Sequence, residues 1–165
     1  MKHILFTCMI ALLPGLSALA QSGEKTVWWN PAKAEFPVVE GQAWPKEMKA
    51  SYNRLPARAE KKLRPELWSL SRTSTGLIIR FRSNADQITV RYTVDGKLDK
   101  PHMPSTGVSG LDLYARNSDG KWLWTAGNFT FGDTIVYRFS DINPNDGYHK
   151  LGREYNLYLP LCNSV

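Results

Sequence analysis

QITVRYTV, residues 87–94, sets Ile88, Val90, Tyr92 and Val94 against Gln87, Thr89, Arg91 and Thr93 in strict alternation. A period of two with β-branched and aromatic residues is the pattern of a strand with one face in a core and the other in water. The same reading extends on both sides. Leu77, Ile79 and Phe81 alternate with Ile78, Arg80 and Arg82, and Ile135, Tyr137 and Phe139 with Thr134, Val136 and Arg138. Further strands are predicted at 67–71, 111–116, 121–126 and 154–159. Turn formers separate these runs: 74–76, 83–86, Asp95-Gly96, 118–120, Gly132-Asp133 and 143–147. Asp119-Gly120 between two apolar runs is a hairpin signal, because glycine accepts the positive φ of a tight turn. Seven or more short strands and no helical pattern of ten residues predict an all-β fold, an antiparallel sandwich of jelly-roll-like form.

Residues 26–64 read differently. Trp28-Trp29-Asn30-Pro31, Phe36-Pro37, Trp44-Pro45 and Leu55-Pro56 pair apolar residues with prolines, which predicts an extended segment lying over the sandwich. Ala57 to Lys62 has room for a helical turn between Pro56 and Pro65.

Ahead of this, Lys2 and His3 precede an apolar run from Ile4 to Leu13, and Ala18-Leu19-Ala20 precedes Gln21. This is the layout of a secretory signal peptide over residues 1–20. The apolar run is shorter than the ~20 residues of a membrane anchor, so no membrane association is expected after cleavage. A lipoprotein-like reading of Leu5-Phe6-Thr7-Cys8 would leave almost no apolar segment and is rejected. An exported product, periplasmic or secreted, is expected. Residues 21–165 then form one domain, whose sole thiol is Cys162 and which can form no internal disulfide. Cleavage removes one lysine and leaves a modest positive charge without a basic tract, so nucleic acid is not an expected partner. An anionic polysaccharide remains compatible with it.

Several constellations invite a catalytic reading. Gly107-Val108-Ser109-Gly110 resembles a serine elbow, but its second glycine comes one place early and a strand, not a helix, is predicted to follow. A glycine hinge is the expectation. Asp146 stands three residues before His149, as the acid and base of a triad can. With no elbow to supply a nucleophile, Asp146 is read as a turn former in 143–147. His102 and His149 are 47 positions apart with no paired-ligand spacing, so neither a metal nor another cofactor is expected. Trp122 and Trp124 fall on one strand face, where they either fill the core or stack on a sugar ring. In-phase aromatics on a strand usually face the core, and core filling is the expectation. Asp112 shares a strand face with Tyr114 and Arg116. That face is a solvated surface, a buried anchor or a domain contact.

Gly110-Leu111-Asp112-Leu113-Tyr114 reproduces G-x-D-L-Y, and with it the chain resembles the family of domains at the N-terminus of SGNH (GDSL-like) esterases. Arg54-Leu55-Pro56-Ala57, residues 67–71, 76–82, His102-Met103-Pro104, 119–122 and 153–161 are similar to that family too, so the resemblance runs from Trp28 to the C-terminus. Cys162 departs from it, standing where an aromatic is expected. The resemblance implies a β-sandwich accessory domain preceding an α/β/α catalytic domain, its partner in the same chain, which carries Ser, Asp and His. The family's catalytic serine has no matching position here, and no catalytic residue is assigned. Gly110, Asp112, Leu113 and Tyr114 are the signature. His102, Met103, Pro104, Trp122, Trp124 and His149 are candidate contacts to substrate or to the catalytic domain, turn rigidity being the other role open to residues 102–104. The function implied is that of an exported esterase's N-terminal domain, acting on carbohydrate or related esters through scaffold and substrate contact. A free-standing carbohydrate-binding sandwich and a functionless truncated product are the alternatives.

Overall fold

A computed structural model of the protein describes residues 26–48, 52–143 and 145–165. The signal-peptide reading of residues 1–20 therefore lies outside the described residues. Eight strands among the described residues, all paired antiparallel, form two sheets. They are β1 (Val39–Glu40), β2 (Ile78–Ser83), β3 (Ile88–Tyr92), β4 (Asp112–Arg116), β5 (Trp122–Thr125), β6 (Asn128–Thr130), β7 (Ile135–Phe139) and β8 (Arg153–Tyr158). One sheet runs β1-β2-β8-β4-β5 and the other β3-β7-β6.

The alternation read from the sequence sets the register. In the larger sheet Ile79 lies opposite Leu157, which lies opposite Leu113, and Phe81, Tyr155 and Ala115 form the next inward row. In the smaller sheet Ile88 faces Phe139, Val90 faces Tyr137, and Tyr92 faces Ile135. These inward residues from both sheets make one apolar cluster, the core of a β-sandwich. Phe81 stacks on Tyr155 at 5.3 Å between ring centroids, and Tyr137 on Phe139 at 5.9 Å. Burying each such side chain contributes about 1.5–3 kcal/mol, and with no disulfide among the described residues this packing holds the domain together.

Residues 26–48 cover this core as expected: Val38 and Met48 are buried, and Trp29 packs 6.0 Å from Phe81. Ala57–Lys62 forms the helical turn, of 3-10 type. Residues 67–71, expected as a strand, are instead helical, in α1 (Pro65–Ser71). Pro65 occupies the first helical position, where its missing N–H costs nothing and its fixed φ favours the helix. Arg54 then caps the other end, its side chain donating to the carbonyls of Leu70 and Thr73. Two shorter helices follow, α2 (Ser105–Ser109) and α3 (Gly147–Lys150).

Between β5 and β6 the chain crosses from one sheet to the other at Gly127, where a Cβ would lie 2.7 Å from the Phe139 ring. Only glycine lets the backbone pass that close to the core. The β4–β5 connection is the expected hairpin: Gly120 takes φ +80°, and Asn117 and Lys121 close the turn through an N–H···O bond of 2.9 Å.

Candidate functional site: the outer face of the larger sheet

The residues of Gly110–Tyr114 divide between a tight turn, the core and the outer face. A Cβ on Gly110 would stand 2.2 Å from the Thr106 carbonyl oxygen and 2.8 Å from the Tyr137 hydroxyl, so β4 can leave α2 this tightly only with glycine there. Leu113 is wholly buried in the core. Asp112 and Tyr114 point the other way, onto the outer face of the larger sheet.

That face is ordered in rows across the strands. Arg80 lies opposite Asn156, Asn156 opposite Tyr114, and Tyr114 opposite Trp124. With neighbouring strands about 4.8 Å apart, this row spans about 14 Å. To one side stand Ile78, Tyr158 and Asp112, and to the other Arg82, Glu154, Arg116 and Trp122. Trp124 is 60% exposed and Trp122 36% exposed, so the core-filling expectation for these two residues is wrong. The physical reason is register: Trp122 and Trp124 pair with Arg116 and Tyr114 and share their outer face, turned away from the second sheet, whereas Leu123, opposite Ala115, is the inward residue. β5 is the margin of a five-stranded layer backed by three strands, and apart from Thr125 its side chains are exposed.

The polar groups on this face satisfy one another. Asp112 Oδ1 accepts the Trp124 indole N–H at 3.0 Å, which fixes the ring through its edge and leaves its faces free. Arg80 Nε donates to Asn156 Oδ1 at 3.2 Å and its guanidinium pairs with Glu40 at 3.2 Å. Arg116 pairs with Glu154 at 2.7 Å. The hydrogen bond from Arg116 holds the Glu154 carboxyl below the usual carboxylate range, so Glu154 is ionised at neutral pH and unsuited to donate a proton as a general acid. Tyr114 and Tyr158 meet edge to face at 5.4 Å. The result is a surface of anchored aromatic rings among paired charges, able to stack on the apolar face of a ligand ring while offering hydrogen bonds around it.

The remaining candidates lie elsewhere. Lys100 and Met103 exchange backbone hydrogen bonds of 3.0 Å, making a tight turn with His102 exposed at its tip and Pro104 leading into α2. Met103 packs against Gly107. Ser109, expected on a glycine hinge, is the last residue of α2 and fully buried; its hydroxyl donates to the Leu98 carbonyl at 2.8 Å and accepts from Asn163 Nδ2 at 2.6 Å. A strand does follow, and the hydroxyl is committed to structure. His149 is 1% exposed, with Nδ1 3.3 Å from the Tyr155 hydroxyl and no polar partner at Nε2. It is therefore no surface contact, contrary to expectation. Asp146 shapes the local chain as expected: it caps α3 by accepting from the Tyr148 N–H at 3.0 Å and pairs with Arg153 at 2.5 Å. Among the described residues no group of three or more His, Cys, Asp or Glu could hold a metal ion.

Sequence reasoning missed Arg80, Asn156 and Tyr158 as members of this face. Their alternation was visible, but only the pairing of β8 between β2 and β4 brings them beside Tyr114 and Asp112.

Comparison with known proteins gives a consistent identity. The profile of the family described as GxDLY, the N-terminus of SGNH-hydrolase-type esterases, matches residues 26–165. A solved structure described as a GDSL-like lipase of Bacteroides ovatus is similar at a TM-score of 0.64 and 25% identity, over 76% of this chain and 35% of that one. The chain thus spans about a third of that relative's length. No curated protein matches. A match over all of the described residues, with the signature leading into β4, means that the chain belongs to the GxDLY family of N-terminal domains of SGNH-type esterases.

Proposed function

We propose that this chain is the exported N-terminal domain of an SGNH-type esterase acting on carbohydrate or related esters, and that it supplies scaffold and substrate contact rather than the catalytic serine. The charged and apolar layout of residues 1–20 supports export. The observation that carries the substrate reading is the outer face itself, where Asp112 holds the exposed Trp124 by its N–H and Tyr114 and Tyr158 continue the aromatic surface. Exposed aromatics restrained in this way lose little conformational freedom on binding, which favours affinity. Acyl transfer itself belongs to the Ser, Asp and His of the SGNH portion, which the hydrolase family places after this domain. The polymer held on the sheet would raise the local concentration of esters at that centre.

The test is kinetic, on the polypeptide comprising both portions. Replacing Trp124→Ala should raise KM for an acetylated polysaccharide about fivefold, equivalent to an aromatic contact of about 1 kcal/mol, and leave turnover of a small aryl acetate unchanged. Trp124→Tyr should restore most of the loss. Equal kinetics on both substrates in all three proteins would refute the role of this face, and absence of any ester hydrolysis would refute the esterase reading.

A further inference from the structure

Away from the aromatic face, α1 carries two leucines that the core does not use. Leu67 is 43% and Leu70 61% exposed, and they line an open groove of about 660 Å³ together with Ala43 and Leu55. Leu161, 56% exposed, lies near the end of α1: the Thr75 hydroxyl donates to its carbonyl and is 2.9 Å from the Thr73 hydroxyl, which donates to the Leu70 carbonyl at 3.0 Å. The patch is rigid. Arg54 clamps the end of α1 through the carbonyls of Leu70 and Thr73, so the two leucines of the helix are presented on fixed backbone.

The segment running past this patch is clamped as well. The Cys162 N–H donates to Val108, the Ser74 N–H to the Asn163 carbonyl at 2.9 Å, the Asp95 N–H to Ser164 at 3.0 Å, and the Val165 N–H to the Ser74 hydroxyl at 3.1 Å. Asn163 is further held by Lys97 and Ser109. A domain joined after this segment starts from a fixed point and direction close to Leu161. Its effective concentration at the neighbouring surface is high, so a modest apolar contact suffices to seat it.

We infer that the Leu67–Leu70–Leu161 patch is the surface on which the SGNH catalytic portion of the esterase packs. The inference rests on the esterase reading above. It assigns two apolar exposures among the described residues to different partners: leucines beside the exit of the chain to the adjoining domain, and the aromatic face around the hydrogen-bonded Trp124 indole to the substrate. The polar side chains lining the groove, Gln42, Arg54 and Ser71, donate to the backbone carbonyls of Asn53, of Leu70 and Thr73, and of Trp68, so the groove presents mainly its leucines, which suits a protein partner better than a sugar.

Hydroxyl-radical footprinting of the unmodified two-portion polypeptide tests this, because leucine oxidation reports side-chain access to water. Leu151, 79% exposed on another part of the surface, is the internal reference. Leu70 and Leu161 are expected to be oxidised at least about fivefold more slowly than Leu151, as befits side chains in the dry centre of an interface. Oxidation of all three at rates in proportion to their exposures in the isolated domain would overturn the inference. So would protection that fades on dilution while the mass falls from dimer to monomer, which would assign the patch to a second copy. Hydrolysis of an aryl acetate by the same sample reports separately on the esterase reading. Protection without turnover would leave the docking surface standing and remove the esterase, whereas turnover without protection would do the reverse.

Discussion

Gly110 and Asp112 show how much a single residue decides here, and how unevenly the sequence reveals it. The need for glycine at 110 comes from two contacts, with the Thr106 carbonyl and the Tyr137 hydroxyl, that a Cβ would violate. Gly110→Ala should accordingly destabilise the domain by about 3 kcal/mol, the cost of forced overpacking, read as a lower urea midpoint at unchanged slope. A change below about 0.5 kcal/mol, typical of a surface substitution, would show that the close approach of α2 and β4 is not fixed. Leu113 was legible as core from its alternation with Asp112 and Tyr114. The Asp112–Trp124 bond was not, since it depends on the pairing of β4 with β5, and no local pattern reports that register. The same gap explains why Trp122 and Trp124 were misjudged: alternation separates two faces of a strand without saying which one the second sheet covers.

At the scale of elements, runs with strict alternation became strands, and the errors fell where punctuation competes with pattern. In Pro65–Ser71 the apolar residues Leu67, Trp68 and Leu70 fit either period, and the proline at the first helical position decided for a helix. β6, three residues long, was invisible because it exists only through the crossing at Gly127. α3 illustrates an element held by its cap. The Tyr148 N–H, followed by the Arg153 guanidinium, holds the Asp146 carboxyl below its ordinary value in the folded chain. A carboxyl that titrates lower when folded stabilises fully above its unfolded value of about 3.9 and loses that contribution as pH falls through the folded value. Asp146→Asn should therefore lower the thermal midpoint at pH 7, with the gap from the unaltered protein closing from about pH 4 downwards. A gap that stays constant as the pH is lowered through the acid range would assign the loss to geometry rather than to charge.

The whole molecule joins a fold that was legible early to a site that needed the third dimension. Turn spacing and period-two runs predicted the antiparallel sandwich, and the G-x-D-L-Y run leading into β4 carried the family. What they could not convey is the strand order β2-β8-β4-β5, which gathers Tyr158, Tyr114, Trp122 and Trp124 on the face turned away from the second sheet. The central claim is that this face, and no buried Ser–His pair, is where the domain meets its substrate. The most direct measurement is a titration of the isotopically labelled chain with acetylated oligosaccharide, followed through tryptophan indole N–H resonances. The Trp124 signal, held by Asp112, is expected to shift saturably with Trp122 and with backbone amides of β4, β5 and β8, and Trp124→Ala to abolish the shifts. Unmoved indoles alongside shifts confined to residues around His149 or Ser109 would contradict it.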